Sequence, residues 1–308
     1  MERVLITGVD GVVGGNLAAS LADCCQVIGT WQNEPVDLPG CRIEDCDECD
    51  PDELAALLKQ TNPRWIVHCG QLAVSSWTAG QASAIDPSEV TLVERLAATA
   101  GEINAPLTVI GSDDVFAGPG LFHEESALRC GGGARAALAR EIEDLLSRGS
   151  SLIVRTNAYG FSPTESRTDF SEQAWLALTQ GEQLSTEAEP HATPILATDL
   201  APLLWRAHQR RLQGVLHLCG AERTSPARFM SELAMACSPS GTAIGQTAEA
   251  AKQLLPARET SLDTRLARRE LSANLPLLRE GLARFAEQAA NGWRAQLQGH
   301  GNQCSQAA

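Results

Sequence analysis

Short apolar runs alternate with stretches of helical periodicity through the first 157 residues of the chain. The runs predicted as strands are RVLIT at 3–7, CQVIGT at 25–30, RWIVHC at 64–69, PLTVIGS at 106–112 and SLIVRT at 151–156. The stretches predicted as helices between them are 12–23, 50–60, 86–103 and 132–147. Buried apolar strands separated by amphipathic helices are typical of a parallel sheet covered on both faces. The pattern therefore predicts a Rossmann-type, doubly wound α/β fold.

The alternation becomes less regular after residue 157. Helices are predicted near 170–180, 198–210 and 225–237, and GVLHLC at 214–219 is predicted as a strand among them. Residues 220–295 have a mostly helical pattern without a long linker. We therefore expect a smaller, mixed but mostly helical C-terminal region that packs on the sheet as a cap and forms a cleft with it.

The first predicted strand runs directly into a glycine-rich turn, TGVDGVVGGNLA. Gly8, Gly11 and Gly14 have the G-x-x-G-x-x-G spacing, and an amphipathic helix follows them. Glycines at these positions let the backbone turn tightly and approach a pyrophosphate, whose charge then faces the N–H groups of the helix start. This context predicts dinucleotide binding. The alternative is a glycine-rich turn that serves packing alone.

The residues after the second strand of such a fold normally read the ribose of a dinucleotide. An acid there hydrogen-bonds the 2′-hydroxyl of NAD, whereas an arginine accommodates the 2′-phosphate of NADP. This chain has Thr30-Trp31-Gln32-Asn33 at that place, with neither type of residue. Both NAD and NADP therefore remain open as the cofactor.

The charge of the chain narrows the class of partner. With 24 Lys and Arg against 38 Asp and Glu, the formal net charge is -14. A surface this acidic repels nucleic-acid backbones and anionic membranes, so neither is expected as a partner. Met1-Glu2-Arg3 leads straight into the first strand and no run of 18 apolar residues occurs, so we expect neither a secretory signal nor a membrane span.

The ten cysteines bear on the compartment and on metal chemistry. Without an export signal they are most simply reduced thiols, and we expect a cytoplasmic protein. Cys41, Cys46 and Cys49 have a spacing similar to that of iron–sulfur ligands, but a cluster also needs a fourth, convergent cysteine. We therefore interpret them as scattered small side chains in an acidic loop and predict no metal site. Residues 299–308 are small and polar, and we expect a disordered tail there.

Six stretches resemble, in chain order, segments of the extended short-chain dehydrogenase/reductase superfamily, and they are most similar to the dTDP-4-dehydrorhamnose reductases. The stretches are TGVDGVVGGNLA, DECDP at 47–51, NPRWIVHCGQLAV, LTVIGSDDVFAG, LIVRTNAYG and RETSLDTRLARRELSANLPLLREGL. The resemblance implies an NAD(P)-binding Rossmann domain over 1–157 and a smaller nucleotide-sugar-binding region over 158–298, with segments such as 194–219 returning to the sheet. It also implies hydride transfer from NAD(P)H to a sugar ketone.

The resemblance further implies which residues hold the cofactor. The glycine turn lies against the pyrophosphate, the leading Asp47 of DECDP lies by the adenine, and the end of the strand at 64–69 lines the cofactor. The implied cofactor-binding residues are Gly8, Asp10, Gly11, Val12, Val13, Gly14, Asp47, Glu48, Cys69, Gly70 and Gln71. The implied partners are a dinucleotide and a nucleotide sugar, and a homodimer or a partner enzyme remains open.

The family's proton donor is a tyrosine, and a lysine four residues later lowers the pKa of that phenol and holds the ribose. Aligning the helix by Glu141 puts Gly133 at the tyrosine position and Ala137 at the lysine position. The chain's one tyrosine is Tyr159, and no Tyr-x-x-x-Lys occurs anywhere. General acid catalysis contributes typically about 10²–10⁴-fold to a rate. We therefore expect weak or lost reductase activity.

The candidate catalytic residues that remain are Ser112, Asp114 and His123. Ser112 stands at the family's Ser/Thr position, Asp114 replaces the tyrosine of its T-D-Y segment, and His123 has the intrinsic pKa best suited to proton exchange near neutrality. The alternatives are a solvated loop histidine and, for Asp113 and Asp114, one carboxylate that braces the loop beside one that faces solvent. Arg135 either offers its charge to a phosphate or is a surface arginine in the first turn of its helix.

The sequence supports three hypotheses of function. The first is a nucleotide-binding protein that keeps the fold, has weak or no reductase activity, and regulates a partner enzyme or senses NAD(P)H. The second is an active nucleotide-sugar reductase or epimerase with a substitute general acid. The third is a binding module that keeps only the sheet as a platform. We favour the first, because Gly133 and Ala137 carry no group that can deliver a proton.

Overall fold

The computed structural model describes residues 1–48, 50–78, 85–181, 190–237 and 258–299. Its strands are β1 (Glu2–Thr7), β2 (Cys25–Gly29), β3 (Cys41–Ile43), β4 (Trp65–His68), β5 (Leu107–Ser112), β6 (Leu152–Thr156), β7 (Ala158–Tyr159), β8 (Pro190–His191), β9 (Ile195–Leu196), β10 (Gly214–His217) and β11 (Arg258–Glu259). Its helices are α1 (Val12–Leu21), α2 (Pro51–Thr61), α3 (Ser88–Glu102), α4 (Gly133–Leu146), α5 (Phe170–Thr179), α6 (Ala197–Gln209), α7 (Pro226–Cys237), α8 (Arg265–Leu271), α9 (Leu278–Ala290) and α10 (Trp293–Leu297).

The main sheet is parallel, and among the described strands its order is β3-β2-β1-β4-β5-β6-β10. The order reverses at β1, which lies between β2 and β4. At such a switch point the loops at the carboxyl ends of the two strands diverge and leave a crevice. The topology confirms the predicted Rossmann-type, doubly wound α/β fold, and it places the glycine turn after β1 at this crevice.

Apolar side chains cover both faces of the sheet. In β1, Val4 and Ile6 enter the layer that includes α1 and α6, whereas Leu5 enters the layer that includes α2, α3 and α4. Successive side chains of a strand point to opposite faces, so a strand buried on both sides is a continuous apolar run. No helix in the described part of the chain is both long and apolar enough to cross a membrane.

The predicted strands and helices are all present, and their ends differ from the predictions by at most two residues. The predicted strand near 214 is β10, which pairs with β6 and extends the main sheet. The sequence did not predict β3 or the two-residue strands β7, β8, β9 and β11. Segments that short show no alternation of apolar and polar positions, so only their pairing partners identify them.

Asp-Pro pairs precede two of the helices on the α2–α3 side of the sheet. Asp50 Oδ1 accepts hydrogen bonds from the backbone N–H groups of Asp52 (2.9 Å) and Glu53 (3.3 Å), which caps α2. Asp86 Oδ1 accepts a hydrogen bond from the N–H of Ser88 (2.9 Å), where α3 begins. The carboxylates satisfy N–H groups that have no partner within the first turn of a helix.

A buried ion pair fastens α4 to β6. The Nε and Nη2 atoms of Arg155, which is 2% exposed, donate to the two carboxylate oxygens of Glu143 at 2.7 and 2.8 Å. Arg155 also donates through Nη1 to the carbonyl oxygen of Glu125 (3.2 Å). Arg129, whose side chain is 28% exposed, donates to the same Glu143 carboxylate at 3.0 Å. The two arginines therefore bind one acid from the interior and from the surface.

The substitution Arg155→Gln is expected to lower the free energy of unfolding by about 3–5 kcal/mol, because it leaves the buried Glu143 charge without its bidentate partner. Arg129→Gln is the matched control, with an expected loss below about 1 kcal/mol. Urea denaturation followed by circular dichroism measures both. Equal losses in the two variants would contradict the prediction that burial determines how much the Arg155–Glu143 pair contributes to stability.

Candidate functional site

The glycine turn after β1 forms a cradle at the crevice. Gly8 has a φ of +65°, and a Cβ at this position would lie 2.0 Å from the carbonyl oxygen of Cys69, so only glycine fits. α1 has Gly11 as its N-cap, and no side chain of the described residues caps its first turn. Val12 is half-buried and Val13 is buried in the core. The helix start therefore keeps N–H groups available for an anion.

A buried carboxylate lies directly behind this cradle. Glu48 is 1% exposed, and its Oε1 accepts hydrogen bonds from the backbone N–H of Gly8 (2.8 Å) and from the hydroxyl of Thr30. Its Oε2 has no hydrogen-bond partner among the described residues. Burial raises the pKa of the Glu48 carboxyl to about 7, against the opposing effect of these hydrogen bonds. The neighbouring Asp47, which the resemblance places by the adenine, is exposed.

Asp10, in the middle of the glycine turn, reaches the segment that follows β2. Its Oδ1 accepts a hydrogen bond from the N–H of Gln32 (3.0 Å), and its Oδ2 accepts from the N–H (3.1 Å) and the side-chain amide (2.9 Å) of Asn33. Arg167 Nη1 lies 3.3 Å from the same Oδ2. Asp10 therefore brings a carboxylate to the end of β2, where residues 30–33 have no acid.

A second buried pair braces the end of β4, where Cys69 and Gly70 follow as buried residues. His68 Nδ1 lies 2.7 Å from the hydroxyl of Thr7, and its Nε2 lies 2.9 Å from Glu89 Oε1. Burial lowers the pKa of His68, but the hydrogen bond and charge of Glu89 outweigh it and raise the pKa overall. His68 is a buried core residue.

Gln71 and the segment after it connect this bend to the helices around it. The backbone N–H of Gln71 donates to Glu89 Oε1 (3.1 Å), and its side-chain amide donates to the carbonyl oxygen of Asp86 (3.0 Å). The bend that the resemblance assigns to the cofactor is therefore held by the Glu89 side chain of α3 and by a backbone carbonyl group of the loop before it.

α4 begins at the position that the resemblance assigns to the catalytic tyrosine. Gly133 has a φ of +86°, a conformation that side-chain-bearing residues rarely adopt, so a tyrosine there would be strained. Ala137 follows four residues later on the same helix face, and both positions are exposed. This face therefore offers neither a proton donor nor a cation at the two family positions.

Ser112 and Asp114 bind each other at the end of β5. The Ser112 hydroxyl donates to Asp114 Oδ2 (3.0 Å) and accepts from the Asp114 backbone N–H (3.1 Å), which caps a single 3-10 turn. Both residues are 1% exposed, and Asp113 between them is fully buried. The expectation that one of the two neighbouring carboxylates faces solvent is wrong, because hydrogen-bond donors enclose both.

Two arginines complete the surroundings of Asp114. Arg135 Nε donates to its Oδ2 (2.8 Å), and Arg258 Nη2 donates to its Oδ1. Arg135 also donates to the carbonyl oxygens of Gln71 (2.9 Å) and Val74 (3.4 Å), which ties α4 to the segment after β4. Burial lowers the pKa of Arg135, whose side chain is only 12% exposed. Its interpretation as a surface arginine is therefore wrong.

Asp113 joins three further segments. Its Oδ2 accepts hydrogen bonds from the hydroxyl of Ser76 (3.0 Å), the amide of Asn157 (3.0 Å) and the hydroxyl of Thr260. Burial raises the pKa of Asp113, and these hydrogen bonds oppose the shift. Sequence reasoning missed this network because its donors follow β4, β6 and β11, which are far apart along the chain.

His123 lies against an aromatic ring instead of in solvent. Its imidazole stacks on Phe116 with 4.4 Å between ring centroids and 5° between planes, and its backbone N–H donates to the carbonyl oxygen of Ser261 (2.8 Å). Its Nε2 is buried without a hydrogen-bond partner among the described residues. Burial lowers the pKa of His123, which favours the neutral imidazole at neutral pH. The interpretation as a solvated loop histidine is wrong.

Tyr159 and His217 are buried core residues. Tyr159 packs edge-on against Phe229 (4.9 Å), and burial raises the pKa of its phenol well above the usual value. Burial lowers the pKa of His217 to about 3. Within the described ranges, no three His, Cys, Asp or Glu side chains converge as they would around a metal ion. Outside the described residues lie Cys49, His300 and the rest of the predicted tail, 301–308.

A comparison with protein families covers almost the whole chain. The family model described as RmlD substrate binding domain matches residues 1–291. A search of the curated proteins finds no significant match. The family match agrees with the resemblance carried by the six sequence stretches.

Solved structures with this fold include reductases and epimerases of nucleotide sugars. The dTDP-4-dehydrorhamnose reductase from Bacillus anthracis in complex with NADP has a TM-score of 0.74 at 18% identity, over 93% of this chain and 98% of that chain. The Bordetella bronchiseptica enzyme WbmH in complex with NAD+ has a TM-score of 0.70 at 17% identity, over 96% and 100%. The UDP-glucose 4-epimerase with UDP-glucose from Thermotoga maritima has a TM-score of 0.74 at 13% identity, over 94% and 99%. At these identities the likeness establishes the fold alone.

The substitution Glu48→Gln is expected to change how stability depends on pH. A carboxyl with a raised pKa binds its proton more tightly in the folded than in the unfolded chain, so its contribution is lost as the pH rises from about 4.5 to about 7. At pH 8 the free energy of unfolding is lowered by up to about 3 kcal/mol. The neutral side chain of Glu48→Gln does not titrate, so the variant should not show this loss. Urea denaturation of both proteins between pH 5 and pH 8 measures the difference.

Asp47→Asn, at the exposed neighbouring position, is the control for this experiment and should keep the wild-type profile. Parallel pH profiles for the wild type and Glu48→Gln would show that Glu48 does not titrate behind the cradle.

Proposed function

The chain belongs to the RmlD substrate-binding-domain family, and on that premise we propose that it is an NAD(P)-binding protein of the dTDP-4-dehydrorhamnose reductase lineage with weak or lost reductase activity. The observation that carries the proposal is a contrast within one crevice. The cradle at Gly8 and the uncapped start of α1 have the features that a pyrophosphate needs, whereas Gly133 and Ala137 offer no proton donor and no cation.

The residues of the cradle fit a dinucleotide. The absence of a side chain at Gly8 lets the turn lie against Cys69, and the N–H groups of α1, together with the helix dipole, present partial positive charge to a pyrophosphate. Bound NAD(P)H would supply the hydride, and the residues of this chain would bind and orient it. The complexes of the same fold with NADP and with NAD+ support this part of the proposal.

The polar groups beside the family's catalytic positions bind one another. The Ser112 hydroxyl is bonded to Asp114, and each carboxylate oxygen of Asp114 accepts from an arginine, Arg135 or Arg258. None of these groups reproduces a phenol whose pKa a lysine lowers, and that loss costs typically about 10²–10⁴-fold in rate. A protein that binds NAD(P)H without consuming it suits a sensing or regulatory role.

An active nucleotide-sugar 4-keto reductase or epimerase is the second candidate, and one observation favours it. His123 Nε2 is buried and has no hydrogen-bond partner among the described residues, so it would exchange a proton with a substrate hydroxyl or carbonyl that reached it. The epimerase with UDP-glucose, which shares the fold, supports a nucleotide sugar as the second ligand.

The same proposal includes a cytoplasmic location and an assembly partner. The cysteines in the described part of the chain are all free thiols, which supports a reducing compartment. A regulatory role requires a partner enzyme or a second copy of this chain to receive the signal.

Calorimetric titration with NADH and NADPH, followed by stopped-flow cofactor oxidation with a dTDP-4-keto sugar, tests the proposal. We expect saturable binding of at least one dinucleotide and turnover at least about 10²-fold below that of a relative with the Tyr-Lys pair assayed in parallel. Turnover at the relative's rate would overturn the lost activity. Failure of both dinucleotides to bind would favour a binding module that keeps only the sheet.

The substitution His123→Gln separates the two candidates. If the wild type has lost its reductase activity, the residual rate of His123→Gln should stay within about twofold of the wild-type rate, because His123 then delivers no proton. His208→Gln is the matched control, since that imidazole lies beside Glu2 on a different part of the molecule. A fall of about tenfold or more confined to His123→Gln would support the active enzyme.

A further inference from the structure

Asp10 lies between the two parts of the crevice that a bound adenosine ribose would connect. It directly precedes Gly11, the N-cap of the helix start that suits a pyrophosphate. Its carboxylate accepts hydrogen bonds from the N–H groups of Gln32 and Asn33, just beyond the carboxyl end of β2. In folds of this class the ribose lies beside that strand end, and an acid there hydrogen-bonds its 2′-hydroxyl.

We propose that Asp10 is a specificity-determining residue and that this chain prefers NAD over NADP, an inference that rests on the proposed dinucleotide binding. A 2′-hydroxyl can donate a hydrogen bond to a carboxylate. A 2′-phosphate in the same place brings a like charge against a group that is 1% exposed, where water screens the repulsion poorly. The glycine turn thereby takes over a role that residues 30–33 cannot fill.

Asp10 Oδ1 accepts one hydrogen bond among the described residues and can accept a second, from a ribose hydroxyl. A carboxylate oxygen has two lone pairs. Among the described residues, Oδ1 accepts from the Gln32 N–H, whereas Oδ2 accepts both Asn33 groups and Arg167. The Arg167 contact is the longest of these at 3.3 Å, and its side chain is 43% exposed, so a ligand can displace it without unfolding the turn.

The charges around Asp10 also favour NAD over NADP. Arg167 Nη1 forms an ion pair with Asp10 Oδ2. The neighbouring Ser166 hydroxyl donates to Glu34 (2.8 Å), so a second carboxylate stands at the rim of the same place. One cation against two carboxylates is an unfavourable setting for a 2′-phosphate, which needs an excess of positive charge.

Calorimetric titration of the purified full chain with NADH and with NADPH, in the absence of sugar, measures the preference. We expect NADH to bind about tenfold tighter or more. Asp10→Asn should reduce that ratio to about threefold or less by tightening NADPH. Arg167→Gln should widen it, because the Asp10 charge then loses its neutralising partner.

Asp23→Asn is the matched control, since it removes an exposed carboxylate that follows α1, at the opposite end of that helix from the glycine turn, and should leave the ratio within about twofold. Thermal unfolding of each variant by circular dichroism verifies the fold. If Asp10→Asn does not fold, the wild type, Arg167→Gln and Asp23→Asn still decide the question.

NADPH binding as tight as NADH or tighter in the wild type would overturn this inference while leaving dinucleotide binding intact. A wild type that binds NADH and NADPH equally would also overturn it. If Arg167→Gln then lost NADPH binding and kept NADH binding, recognition of the 2′-phosphate would be assigned to Arg167. Failure of both dinucleotides to bind would overturn the proposed function and this inference together.

Discussion

The close approach of Gly8 to the Cys69 carbonyl is the constraint on which the rest of the crevice depends. β1 and β4 are neighbours in the sheet, so the segments that leave them start side by side and must diverge to opposite faces. With no side chain between them, the first turn can lead into α1 while its N–H groups stay unobstructed. Buried groups support each side, with Glu48 behind Gly8 and the His68–Glu89 pair behind Cys69. The cradle is therefore a property of the sheet and its buried polar groups as much as of the glycines.

The opposite side of the crevice keeps a polar network without the family's catalytic pair. Arg135 lies in α4 between the tyrosine and lysine positions, and its guanidinium reaches Asp114 and the carbonyl groups after β4. A cation therefore remains on this helix although the lysine is missing. Its nitrogens donate to three protein groups, so it braces the loops that follow β4 and β5. The positive φ of Gly133 shows that the backbone at the helix start also departs from what a tyrosine needs.

An acidic chain must limit repulsion near its cradle if it is to hold the anionic dinucleotide proposed for it. The formal net charge of -14 repels anions over the surface as a whole. Burial raises the pKa of Glu48 and so favours its neutral form over part of the physiological range, while Asp10 shares its charge with backbone N–H groups and with Arg167. These local arrangements allow a pyrophosphate to approach backbone dipoles that its surroundings would otherwise oppose.

The sequence alone determined the doubly wound fold, the strand-turn-helix at Gly8 and the missing Tyr-x-x-x-Lys, because apolar period, glycine spacing and residue identity are local properties. Its exposed alternatives for the Asp113–Asp114 pair, Arg135 and His123 are wrong, because the burial of these side chains depends on partners from other segments. Only the tertiary structure decided whether these side chains are buried. A polar residue in a loop is exposed or enclosed according to which donors from distant parts of the chain the fold brings to it, and the local sequence pattern does not encode those contacts.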